Sequence, residues 1–192
     1  SHIINDIDVI RRYVDEIQKI MAQSGGATHR QYMNLMAGQP ESDRMALHAA
    51  LIWAQGGMQS IFLQDANTLI IKPDDLVEIL KHVQKAFPQV ERITSYARSH
   101  TIARISDDDM ARIAAAGLNR IHIGMESACD EVLDFGKKGV DKKTHIIAGQ
   151  KVKRAGIELS EYFMPGLGGV TLSRKNARQF TPLWSGGLKR PP

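Results

Sequence analysis

From residue 59 onward the chain alternates short apolar runs with longer stretches of helical period. "SIFLQD" (60–65), "ERITSYAR" (91–98), "LNRIHIGMES" (118–127) and "IELSEYFMPG" (157–166) read as strands closed by polar or turn residues. Between the first two, "KPDDLVEILKHVQKAF" (72–87) predicts a helix. Pro73 sits in its first turn, Asp74 and Asp75 lie at the positive end of its dipole, and Leu76, Ile79, Leu80 and Val83 recur on one face. "SDDDMARIAAAG" (106–117) predicts the next, with Ser106 as cap and Gly117 as stop. Helical spacing returns over 131–135 and 141–155, with Gly156 as the stop, and "SRKNARQF" (173–180) begins another helix. Strands separated by helices pair in parallel, because each crossover brings the chain back in the same direction. The class is therefore α/β, either a barrel or an open sheet, which periodicity does not separate.

The first 58 residues follow another rhythm. "IINDIDVIRRYVDEIQKIMA" (3–22) places Ile7, Ile10, Val14, Ile17 and Met21 on one helix side. "SGGATHR" (24–30) breaks it, and two further helices are expected over 31–38 and 42–57. We expect 1–58 to be a helical section completing a first β/α unit, 59–180 to be the β/α core, and 181–192 to be a separate C-terminal segment. Methionine and tryptophan in the first section are read as packing.

With 192 residues, 43% hydrophobic and 24% charged, the chain suits one ordinary buried core. No apolar run is long enough to cross a bilayer, and the single cysteine, Cys129, excludes an internal disulfide, so cytosol and no membrane partner are expected. The formal charge of +4 is concentrated in Lys137, Lys138, Lys142, Lys143, Lys151, Lys153 and Arg154. These read as a solvated helix face, with an RNA or acidic-partner surface as the alternative.

In parallel α/β folds, ligands bind at the carboxyl ends of strands. That selects Asp65 and Asn67, Ser95 to Arg98, Glu126 and Ser127, and the turn "MPGLGG" with Gly166, Gly168 and Gly169. Each has a plain structural alternative: a helix cap, a surface ion pair, or a turn of positive φ. His122 points away from Ile121 and Ile123 and is read as a hydrogen-bonded core residue. No H-E-x-x-H, paired Cys/His, G-x-x-x-x-G-K-[ST] or G-x-S-x-G pattern occurs, which removes zinc sites, P-loop enzymes and serine hydrolases of the familiar kinds.

Three blocks in this order, "IFLQDANTL", "AGLNRIHIGMES" followed by "DEVLDFGKKGV", and "AGIELSEYFMPGLGG", resemble the radical S-adenosylmethionine superfamily from about Ser60 to Phe180. The resemblance is strongest to bacterial members of undefined substrate, related to the elongator and methylthiotransferase type. It implies a partial (β/α)6 TIM-like barrel, incomplete at the N-terminus. It further implies a [4Fe–4S] cluster on a C-x3-C-x2-C loop, S-adenosyl-L-methionine as second cofactor, and an electron donor such as flavodoxin or ferredoxin. Carried over by position, Asp65 and Asn67 meet the methionine amine, where relatives often have Gly-Gly-Glu and this chain has Gln64-Asp65-Ala66. Arg98 meets the carboxylate, Glu126 and Ser127 the ribose, and Gly166 and Gly168 the adenine.

The three cluster cysteines and the strand before Ile3 are absent from this sequence, and Cys129 occupies a β-to-helix turn where a small residue is common. The catalytic front is thus expected to be missing and the chain inactive by itself. "TPLWSGGLKRPP" resembles a later family segment, so Phe180 and Thr181 are expected not to be neighbours in the native product. Two other readings stay open: a different barrel enzyme binding a phosphorylated substrate through "GLGG", and a degenerate, non-catalytic binding module.

Overall fold

The helix stops and caps are where the polar punctuation puts them. In a computed structural model describing residues 2–24 and 29–185, the chain forms α1 (His2–Ser24), α2 (His29–Ala37), α3 (Glu41–Gln55) and β1 (Ser60–Leu63). These are followed by α4 (Pro73–Ala86), β2 (Arg92–Ala97), α5 (Ser99–Arg104), α6 (Asp107–Ala115) and β3 (Leu118–Glu126). The chain then runs through α7 (Asp130–Phe135), α8 (Lys142–Arg154), β4 (Glu158–Phe163) and α9 (Gly169–Ser185). Ser106 Oγ accepts the Asp109 amide at 3.0 Å to open α6, and Asp141 Oδ1 accepts the Thr144 amide at 2.8 Å to open α8. No helix among the described residues is long and apolar enough to cross a membrane.

The chain divides into two units, one of residues 1–61 and 77–92, the other of 62–76 and 93–192. In the first, α1 packs on α3 and fully buries Tyr13, Val14 and Leu47. The Tyr13 hydroxyl reaches Asp43 Oδ2 at 2.7 Å, while the Arg12 guanidinium pairs with the same carboxylate at 2.7 Å and lies over the Tyr13 ring. Trp53 meets Phe87 edge-on, with ring centroids 4.8 Å apart, and its indole N–H donates to the Ser60 carbonyl at 2.7 Å.

The sheet runs in the order β1-β2-β3-β4. β2 pairs with β3 in parallel (Tyr96 opposite His122), as does β3 with β4 (His122 opposite Ser160). This order decides between the two α/β architectures: each strand lies beside its predecessor without the reversal of a doubly wound sheet, as in a partial TIM-like barrel. β3 shows why the strands are two-faced. Ile121, Ile123 and Met125 are buried, whereas Arg120, His122, Gly124 and Glu126 alternate with them on the other face. The buried face meets a core that includes Ile102, Met110, Ile113, Val132, Leu133, Ala148 and Val152.

Two elements differ from the sequence reading. Ser99–Arg104 forms α5, too short to display a helical period, and α9 starts at Gly169 instead of Ser173. The backbone of α9 continues through Phe180 and Thr181, and residues 186–192 of the C-terminal segment lie outside the described residues.

Candidate functional site

A cavity of about 1070 Å³ opens in the second unit at the carboxyl ends of the strands. Asp65 reaches it from the loop after β1, Arg98 from the end of β2 and Glu126 from the end of β3. Three charged candidates from three successive strands thus face one space. Glu126 sits there under strain: its φ is +63°, at a register shift in the β3–β4 ladder. Left-handed backbone at a non-glycine residue costs about 1–3 kcal/mol and persists only where the surroundings enforce it. Here the Glu126 carbonyl accepts the Met164 amide at 3.0 Å, and its carboxylate pairs with Lys138. Gly124 lies beside that pair, where a Cβ would stand at ordinary contact distance, 3.4 Å from Lys138 Nζ and 3.6 Å from Glu126 Oε1.

Tyr96 and Ala97 also line the cavity, whereas Asn67, Ser127 and Ser95 lie outside its lining. Asn67 is buried: its Oδ1 accepts the Arg98 amide at 2.9 Å and its Nδ2 donates to Thr101 Oγ1 at 3.0 Å, fixing the β1 loop to the start of α5. Ser127 is fully buried. Its hydroxyl donates to Asn176 Oδ1 at 2.7 Å and accepts the Cys129 amide at 3.0 Å, while Asn176 Nδ2 donates to the Met164 carbonyl at 3.2 Å. Ser95 is buried on the helix-facing side. Gly166 and Gly168 lie in the turn after β4 with φ of +82° and +93° and do not line the cavity. A Cβ on Gly168 would stand 2.7 Å from that of Leu172, so Gly168→Ala is expected to lower stability by about 1–3 kcal/mol in urea denaturation.

The structure adds residues that sequence reasoning passed over. His122 lies on the cavity side in a row of rings, with centroids 5.8 Å from Phe62, 5.5 Å from Tyr96 and 5.4 Å from Tyr162. Its Nδ1 is buried without a hydrogen-bond partner, and burial followed by Arg120 holds its pKa below the usual histidine value. The period-two series Arg120, His122, Gly124, Glu126 was the available signal for this face. Lys137 (φ +49°) and Lys138 belong to the cavity wall, while Lys151 and Arg154 pair with Asp107, so the basic segment splits between two environments.

His145 is the other addition. It stands at the head of the buried stripe of α8 with Ala148, Gly149 and Val152, a spacing visible in the sequence, and it lines the cavity. Its Nδ1 is 2.6 Å from Ser99 Oγ. Burial first, then Lys138, lowers its pKa, against the opposite pull of Asp141, Glu126 and Asp130. A histidine whose folded pKa lies below its unfolded one stabilises the fold fully above about pH 6.5 and loses that contribution as the pH falls toward the depressed value. Between those values we expect the slope of stability against pH to be up to about 1.4 kcal/mol per unit steeper than in His145→Gln, measured by denaturation from pH 7.5 downward.

The family model of the radical SAM superfamily matches residues 37–180. The chain belongs to that superfamily. No curated protein matches it. Among solved structures it is similar to the archaeal Methanocaldococcus infernus Elp3 lacking residues 1–46, at 16% identity and a TM-score of 0.57 over 73% of this chain and 38% of that one. It is also similar to the radical S-adenosylmethionine methyltransferase TsrM from Kitasatospora setae, whose structure holds cobalamin and a [4Fe–4S] cluster. That match has 18% identity and a TM-score of 0.50, over 72% of this chain and 28% of that one. These identities speak to the fold, and the chain spans well under half the length of either structure.

The two cofactors of the radical SAM superfamily fit this chain differently. Cluster ligation draws on thiolates. The one cysteine, Cys129, is buried at the head of α7 outside the cavity wall, and no group of three His, Cys, Asp or Glu placed to hold a metal occurs among the described residues. The cluster therefore does not fit the residues of this chain. The donor set suits S-adenosylmethionine better: its ammonium, carboxylate and hydroxyl groups call for an acceptor, a cation and a second acceptor, and one cavity is lined by the carboxylates of Asp65 and Glu126 and by Arg98.

Proposed function

We propose that this chain is the S-adenosylmethionine-binding part of a radical SAM enzyme and that by itself it binds the cofactor without cleaving it. The observation that carries this is the convergence of Asp65, Arg98 and Glu126 from three successive strand ends on one cavity. Bound S-adenosylmethionine supplies, in this superfamily, the carbon radical used for hydrogen abstraction. The chain's own residues set where it lies. Asp65 accepts from the ammonium group, Arg98 donates to the carboxylate, and Glu126, held by its left-handed backbone and by Lys138, accepts from the ribose hydroxyls. Met164, which opens the turn with Gly166 and Gly168, donates its amide to the Glu126 carbonyl and so ties that turn to the residue proposed for the ribose.

Calorimetric titration with S-adenosylmethionine tests this. Saturable binding to one site is expected, together with no 5′-deoxyadenosine after addition of a strong reductant. Absence of binding would overturn the reading, and formation of 5′-deoxyadenosine would overturn its second half.

A further inference from the structure

Each of the four strands sends one ring to the cavity: Phe62 from β1, Tyr96 from β2, His122 from β3 and Tyr162 from β4. The binding proposed above uses none of them. The rings form an unbroken series, with centroids 5.0 Å apart from Phe62 to Tyr96, 5.5 Å from Tyr96 to His122 and 5.4 Å from His122 to Tyr162. They remain open on one side: Phe62 and Tyr96 are each 37% exposed and Tyr162 47%. The opposite face of the same sheet is closed, with Ile121 and Ile123 fully buried.

The rings and the charged residues occupy different levels of the cavity. Asp65 follows Phe62 by three residues, Arg98 follows Tyr96 by two and Glu126 follows His122 by four. At the rise of an extended chain, about 3.3 Å per residue, those offsets amount to about 7–13 Å. The cavity is thus charged at the strand ends and aromatic along the strands. Its volume of about 1070 Å³ lies at the top of the range of about 300–1,000 Å³ typical of one small-molecule site, which leaves space for a second ligand. A small molecule suits this space better than a covering helix or strand. A packed layer of protein would strip water from Asp65, Arg98 and Glu126 on the same wall, and charged groups tolerate that poorly.

The ring planes narrow the ligand. Enclosing a methylated cation takes ring faces that turn toward one another around it. Here His122 lies within 15° of parallel to Phe62, 34° from Tyr162 and 43° from Tyr96, so the rings continue one surface and do not box a volume. Burial, then Arg120, keeps the pKa of His122 low, and its ring joins that surface uncharged near neutral pH. A flat ligand face offset over such a surface gains the most contact. We propose that this row is a stacking platform for a planar aromatic or heteroaromatic ring of a second ligand, the substrate that bound S-adenosylmethionine serves. Only the role as substrate rests on the proposed function; the platform itself does not.

The test is a titration of the full chain with indole, followed in the aromatic ¹H–¹³C spectrum, with His122→Ala identifying the His122 resonance. Indole is expected to move the His122, Tyr96 and Tyr162 ring protons upfield and saturably, with S-adenosylmethionine present or absent. Tyr162→Leu is expected to weaken indole at least about fivefold, since one stacked ring contributes that much, while Tyr162→Phe retains the affinity. Phe135→Leu, an exposed ring outside the cavity lining, is expected to change nothing. Equal binding of cyclohexanol would mark an unspecific apolar hollow, and tighter binding of tetramethylammonium a cation cage; either overturns the platform. Displacement of indole by S-adenosylmethionine would assign the rings to the cofactor and overturn it too, as would absence of indole binding. Saturable indole binding to a chain that fails to bind S-adenosylmethionine would leave the platform standing and remove the proposed function.

Discussion

Ile121→Ala is expected to destabilise the protein by about 2–5 kcal/mol, read as a lower urea midpoint at unchanged slope. Ile121 is fully buried in β3, the strand that pairs on both sides, and truncation leaves a void that the neighbouring helices fill only in part. The adjacent position supplies the control. His122 is on the opposite face, where it touches Phe62, Tyr96 and Tyr162 and is partly open to the cavity. His122→Ala is expected to lose only about 0.5–1.5 kcal/mol, the scale of an aromatic contact. If the two substitutions had equal effects, β3 would not be two-faced.

Arg98→Ala is expected to weaken S-adenosylmethionine about ten- to a hundredfold in calorimetry, because a hydrogen bond between two charged groups contributes about 1.5–3 kcal/mol. Stability should scarcely change, since the backbone amide of Arg98, not its side chain, is what Asn67 holds. Ser127→Ala is the counterpart. Its hydroxyl lies in a buried network with Asn176 and the Cys129 amide, so the loss is expected in stability, by about 1–2 kcal/mol, with affinity retained. An Arg98→Ala variant that binds as well as the parent would separate this residue from the ligand.

The comparison of Ser127 with Glu126 shows the limit of position along a strand as a guide to a site. The two are adjacent, Glu126 as the last residue of β3 and Ser127 as the next, yet the first lines the cavity and the second is fully buried outside its lining. Alternation sets Glu126 with Arg120, His122 and Gly124 and leaves Ser127 on the other side, a distinction that position at a strand end does not make. The same holds for His122: alternation shows that it faces away from Ile121, but not that rings from three other strands gather around it.

What the sequence determined by itself is everything governed by local period and local punctuation. That covers the four strands and most of the helices, the cap at Ser106, the glycine stops at Gly117 and Gly156, and the parallel α/β class that follows from alternation. The ordered blocks also carried the superfamily, because motif order survives where overall identity does not. Only the tertiary structure decided that the strands run in unbroken order, that Asp65, Arg98 and Glu126 share a cavity, and that His145 pairs with Ser99 across 46 residues. Contacts between distant segments depend on register and crossover geometry, which no window along the chain contains.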